Sequence, residues 1–252
     1  MRRFLVALLA LVLPSQILAP LMCVLGHRMS RRASIGFSLV FADVVAMERA
    51  ARIGHFNIIR CRRLVLRDSA YIGVMNYING PVSIWLNCRA GIGNRNVVTR
   101  APKPVSYGPA HLRLGELAKI TASHSLDCMR DISLGDFSIL AGKGSQLWTH
   151  GYVHAESGPA RYRIDGSICI DHNVYIGSAC VISAGVKIAT GVIVGAHCAV
   201  SKDLEQPGLY VSQSLRHIGI DSEEKSRDLV PVANESVCEK VFIKRRTYDK
   251  TR

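Results

Sequence analysis

The chain has 252 residues, is 48% hydrophobic but only 6% aromatic, and carries 32 Lys and Arg against 19 Asp and Glu, a formal charge of +13. That balance excludes a disordered polar chain, and a lone long apolar stretch excludes a polytopic transporter. Twenty-one glycines among short aliphatic residues point instead to a core assembled from many thin layers.

Phe4 to Gly26 is almost wholly apolar, preceded by Arg2 and Arg3 and followed by His27, Arg28, Arg31 and Arg32. At about 1.5 Å per residue, one helix of this length reaches across a bilayer. Pro14 and Pro20 would bend it. Three readings compete: a cleaved signal peptide, against which stands the lack of a clean small-x-small site, a straight anchor, and a broken helix that enters and leaves one leaflet. Residues 1–32 are therefore expected to attach the protein to a membrane. The flanking arginines favour the inner (cytoplasmic) membrane, with the body on the cytoplasmic side. Residues 33–50 are expected to cap or link. The basic excess fits an anionic membrane face better than nucleic acid, for which no reading module is present. The eight cysteines include no C-x-x-C pair and read as free thiols, with Cys180 and Cys198 in the interior.

The body is a repeat. Ala51-x-Ile53-Gly54-x-x-Asn57 returns as Ala70-x-Ile72-Gly73-x-x-Asn76 and as Ala90-x-Ile92-Gly93-x-x-Asn96. A finer period of six joins Leu66, Ile72, Ile78 and Ile84, then Leu114, Ile120, Leu126 and Ile132. It runs without a slip through Ile164, Ile170, Ile176, Ile182, Ile188, Val194 and Val200, and each has an inward partner two residues earlier, from Tyr162 to Cys198. A step of six fits neither an amphipathic helix nor a long strand. It fits short strands whose alternate side chains point inward, each followed by a small corner residue. Three sides close one coil of about 18 residues, and stacked coils make a parallel β-helix. The expected fold is thus all-β, with the solenoid over 51–204 and a C-terminal cap and tail over 205–252.

The repeat breaks between Gln146 and Ile164, where Trp148, Thr149, His150 and His154 enter a loop. Binding and catalytic groups gather on such loops. Together with Thr149-His150, the unbroken run to Val200 and the closing Ser201-Lys202-Asp203, this pattern resembles the hexapeptide-repeat acyltransferases, the left-handed parallel β-helix superfamily that includes the maltose/galactoside and polysaccharide O-acetyltransferases. The resemblance is strongest over residues 110–217. Here the glycine of the family's threonine-glycine-histidine is absent, and serine stands for the closing threonine.

The resemblance implies an acetyl-CoA-dependent O-acetyltransferase, usually a homotrimer with sites between adjacent prisms, and no metal. His150 matches the catalytic base. Ser178, Ala196, Ser201 and Lys202 match the coenzyme A channel, with Arg216 near the adenine. His154 and Trp148 would shape the acceptor pocket. Ser123 or His124 would replace an asparagine on the opposite wall. Either Glu156 or Asp127 would orient His150. The membrane segment suggests a saccharide acceptor, lipid-linked or belonging to a bacterial surface polysaccharide. Two other readings share the prism: a zinc-dependent γ-type carbonic anhydrase using His150 and His154, and a membrane scaffold without catalysis.

Overall fold

A computed structural model describes residues 2–154, 156, 161–212, 229–231 and 242–244. The chain divides into two units, Met1–Ser212 and Gln213–Arg252. In the second, strands Leu229–Pro231 and Phe242–Lys244 pair antiparallel.

The first unit is a three-sided parallel β-solenoid. One face is a nine-stranded parallel sheet, from Ser34–Ile35 to Gly208–Tyr210. Its inward rungs are Ile35, Ile53, Ile72, Ile92, Ile120, Leu140, Ile176, Val194 and Tyr210. The other two faces are joined by the long strand Ile58–Leu66. Its first residues pair with Tyr77–Asn79, and its last with Ser83–Leu86 around the corner. The second face stacks Ile59, Ile78, Val98, Leu126, Leu147, Ile182 and Val200. The third stacks Leu66, Leu86, Leu114, Leu134, Ile170 and Ile188. At about 4.8 Å per rung, nine coils rise roughly 38 Å. Each fully buried Ile, Val or Leu contributes about 1.5–3 kcal/mol against exposure.

The seven-residue repeat has a physical cause at one corner. Asn57, Asn76 and Asn96 are buried and stacked. Asn57 Oδ1 accepts from the backbone N–H and Nδ2 of Asn76, both at 2.9 Å. Asn76 Oδ1 accepts likewise from Asn96, at 2.9 and 3.2 Å. Each asparagine also donates to a carbonyl of the next coil: Asn57 to Gly73 O and Asn76 to Gly93 O, both at 2.8 Å. That carbonyl must lie close, so the glycine is obligatory. A Cβ on Gly54 would stand 2.4 Å from Gly73 O, and one on Gly93 2.0 Å from Thr121 O.

Four expectations are corrected. The apolar segment at the N-terminus is two helices, Arg2–Val12 and Ser15–Val24, parted at Pro14. No helix among the described residues is long and apolar enough to cross a membrane. Val6, Ala10, Leu18, Ala19 and Met22 join the solenoid's core cluster, so these helices are the cap. Residues 33–50, expected to cap or link, are a regular coil: Leu39–Met47 pairs along its length with Ile58–Leu66. The solenoid likewise runs past 204, to the strand Gly208–Tyr210. Finally, Tyr162 and Ile164 continue the six-step in sequence but not in space. They are exposed, on a strand paired antiparallel with His150–Val153. Cys180 and Cys198 are buried as expected, and the described cysteines are all free.

Candidate active site

His150 leaves the solenoid at the edge between the second and third faces. Strand Gln146–Trp148 is the last regular rung before it. Thr149, fully buried, fixes the departure point: its hydroxyl donates to Asp127 O at 2.7 Å and accepts from Arg130 N at 3.0 Å. The chain then runs out as His150–Val153 and returns as Tyr162–Asp165 to rejoin the edge, where Gly166 N donates to Thr149 O. Arg163 forks onto Asp165 and donates to Val105 O, tying the hairpin to the 101–110 loop.

His150 Nδ1 lies 2.7 Å from Asp127 Oδ2. The His150 side chain is 24% exposed and that of Asp127 10%. A largely desolvated carboxylate at this distance holds the proton on Nδ1, which leaves the Nε2 lone pair facing outward as a base. Asp127, not Glu156, is therefore the orienting group; Glu156 is exposed. The register carries the reason. Leu126 pairs with Leu147, so Asp127 sits beside Trp148 one coil below. The rings of Trp148, His150, Tyr152 and His154 follow one another along the hairpin at 6.4, 5.9 and 6.2 Å between centroids. Trp148 thus stands next to His150, whereas His154, expected with it in the acceptor pocket, neighbours Tyr152 instead.

The residues expected to line the coenzyme A channel divide between two edges. Ser201 and Lys202 follow Val200 as His150 follows Leu147, two coils on along the same edge, and both are exposed. Asp203 Oδ1 accepts from Lys187 N and holds this turn. Ser178 and Ala196 stack on the edge between the first and second faces, with His197 N donating to Ser178 O. Ser123 is exposed on that same edge. One prism does not bring them to His150. Arg216 lies outside the described residues.

His124 requires a correction. It is 0% exposed and cannot touch an acceptor. It continues the asparagine ladder: its backbone N–H donates to Asn96 Oδ1 at 3.0 Å, and its Nδ1 accepts from Ser145 N at 3.1 Å. Nε2 therefore carries the hydrogen and meets Thr121 Oγ1 at 3.0 Å. Burial pushes its pKa down to about 4, against a partial lift from a backbone bond to Gly142. The unfolded chain, near 6.5, then binds the proton the folded chain refuses, so stability falls as pH drops from 6.5 towards 4. We expect the thermal midpoint of the wild type to fall more steeply across that window than that of His124→Asn, which extends the ladder without a titrating ring. Parallel curves would refute this.

Among the described residues, no group of three or more His, Cys, Asp or Glu is placed to hold a metal ion. No family model matches the chain, and no curated protein matches it. Solved structures do. A hexapeptide-repeat acetyltransferase of Vibrio cholerae O1 biovar eltor, crystallised with acetyl coenzyme A, is 25% identical over 40% of this chain and 55% of its own, with a TM-score of 0.38. This chain thus spans about half of that protein's length. The polySia-specific acetyltransferase NeuO is 17% identical over 68% and 76%, at 0.43. The polysialic acid O-acetyltransferase OatWY is 15% identical over 80% and 92%, at 0.44. The chain is a parallel β-solenoid whose structural neighbours include acetyltransferases, among them a hexapeptide-repeat acetyltransferase.

Proposed function

We propose that this protein is an acetyl-CoA-dependent O-acetyltransferase of the left-handed β-helix kind, acting on a saccharide precursor of a surface polysaccharide or lipid-linked glycan. The observation that carries this is His150, held at Nδ1 by Asp127 at a break in the solenoid edge, with Nε2 unbonded among the described residues. A sugar hydroxyl is too weak an acid to attack a thioester unaided. Nε2 takes its proton as the oxygen bonds to the acetyl carbon. The tetrahedral oxyanion collapses, the C–S bond breaks, and the proton passes to the leaving thiolate. Asp127 stabilises the imidazolium in between. The oxyanion needs a donor, most simply a backbone N–H on a neighbouring coil.

The placement of the expected coenzyme residues supports a homotrimer. Ser178 and Ala196 are one face away from His150 on the same prism, and a neighbouring prism's copy of that edge would complete the channel. Transfer of radiolabelled acetyl from acetyl-CoA to alkali-labile esters in membrane glycan fractions tests the activity. Absence of label, or equal label from wild type and His150→Ala, defeats it.

The capping helices supply the membrane contact. Their inner residues are buried, while Phe4, Leu8, Val12, Ile17 and Val24 are exposed. Arg28, Arg31 and Arg32 follow them and are exposed too. An apolar face rimmed by arginines suits a pair of helices lying in an anionic interface on the cytoplasmic side, not crossing it. Wild type is expected to sediment with phosphatidylglycerol vesicles and Leu8→Glu/Ile17→Glu to remain in solution at an unchanged thermal midpoint. Equal sedimentation would rule the contact out.

A further inference from the structure

Between the helical cap and His150, the same edge carries cations that acetyl transfer does not use. A cleft of about 360 Å³ is lined there by Arg3, Arg60, Arg62, Arg100, Lys103 and Asn79, and no carboxylate lines it. Arg3 pairs with Asp43. Arg60, Arg62 and Lys103 enter no ion pair among the described residues.

Arg100 is the unusual member. It is 3% exposed, yet it meets only neutral partners. Nη1 donates to Pro81 O at 2.8 Å, and Nη2 to Tyr107 O and Gly108 O at 2.8 and 2.9 Å. Its buried Nε has no partner. The nearby Asp131 is committed to His111 and Arg113. Burial lowers the Arg100 pKa, and Arg62 and Arg130 lower it further. A desolvated cation among like charges is costly unless an anion joins it. Clustered guanidinium groups fit phosphate oxygens in paired hydrogen bonds.

Position along the axis gives this cluster a purpose. Ile78, beside Asn79 and Gly80, is three rungs from Leu147 through Val98 and Leu126. That is roughly 14 Å. The other end of the cleft meets Arg3 of the first capping helix. We infer that the cleft binds the phosphate or diphosphate of a phosphorylated saccharide and so lays the sugar along the edge towards Nε2 of His150. This rests on the transferase reading and narrows its acceptor to a sugar phosphoester, entering from the membrane-facing end.

Calorimetry on the full chain with inorganic pyrophosphate tests the cleft directly. The wild type is expected to bind, and Arg60→Gln/Arg62→Gln to bind at least tenfold more weakly, with acetyl-CoA affinity and thermal midpoint unchanged. Lys103→Gln, at the loop side, is expected to weaken binding by a smaller factor. His150→Ala is expected to bind pyrophosphate like the wild type, so failure of the transferase reading leaves this result standing. No binding by the wild type, or equal binding by the double variant, overturns the site. Competition then separates the sources. Displacement of pyrophosphate by a nucleotide diphosphate sugar or by a polyprenyl diphosphate sugar in micelles supports the acceptor class and identifies its carrier. Displacement by neither overturns it.

Discussion

Alanine at position 150 is expected to lower kcat for acetyl transfer about 10²–10⁴-fold, the range a positioned general base supplies. Acetyl-CoA binding should be unaffected, because the ring meets the acceptor hydroxyl and its own carboxylate, not the nucleotide. Added imidazole should restore part of the rate by occupying the space the ring leaves. Asp127→Asn should cost less, about 10–100-fold, the worth of one charge-assisted hydrogen bond to the imidazolium. An asparagine oxygen can still accept from Nδ1, so the ring keeps its orientation and loses only the charge that favours the protonated form. The two substitutions together should lower the rate no further than His150→Ala alone, since Asp127 acts only through the ring. Additive losses in the double variant, or a transfer rate within threefold of wild type in His150→Ala, would remove the pair from the mechanism. Steady-state kinetics with a saccharide acceptor and calorimetry with acetyl-CoA make both measurements.

The sequence displayed the solenoid because its core is one-dimensional. An inward residue such as Ile72 or Ile176 recurs at a fixed step, and each coil repeats its neighbour's side-chain contacts. The candidate base, His150, was legible for a related reason, as polar text in a gap between regular rungs. Its partner was legible only as one of two candidates, Asp127 or Glu156. Asp127 lies 23 residues upstream of His150, and only the register Leu126 to Leu147 sets the two side by side. Tyr162 and Ile164 show the converse error, since the period of six does not distinguish a coil from an exposed hairpin in step with it. The apolar N-terminus misled through hydropathy alone. Val6 and Phe4 look alike in the sequence, but one packs on the first coil and the other faces solvent. His124 was read against a family position, whereas its place is one rung after Asn96 in a ladder of hydrogen bonds.

That ladder carries the second large effect. Asn76→Ala is expected to destabilise the solenoid by about 3–5 kcal/mol, whereas Arg52→Ala, at an exposed strand position, should stay within about 0.5 kcal/mol. Removing the Asn76 amide strips the acceptor from both the backbone N–H and Nδ2 of Asn96, and the donor from Gly93 O. Asn96 is fully buried, so its orphaned backbone N–H finds no water; Nδ2 keeps only its bond to Thr121 O, Gly93 O is half-buried, and each orphaned buried group costs about 1–3 kcal/mol. The apolar rungs do not compensate, because their burial is unchanged. A solenoid coil is held mainly by its neighbours, so the damage should be local before it is global. Hydrogen exchange reads this directly: protection at the Asn96 amide should collapse in Asn76→Ala while the amides of Ile176 and Val194, several coils away, keep theirs. Urea unfolding gives the total. A loss under 1 kcal/mol with Asn96 still protected would mean that the asparagines only fill the corner. The expected loss would make them the polar spine that sets one coil's register on the next, and with it the alignment of Asp127 beneath His150.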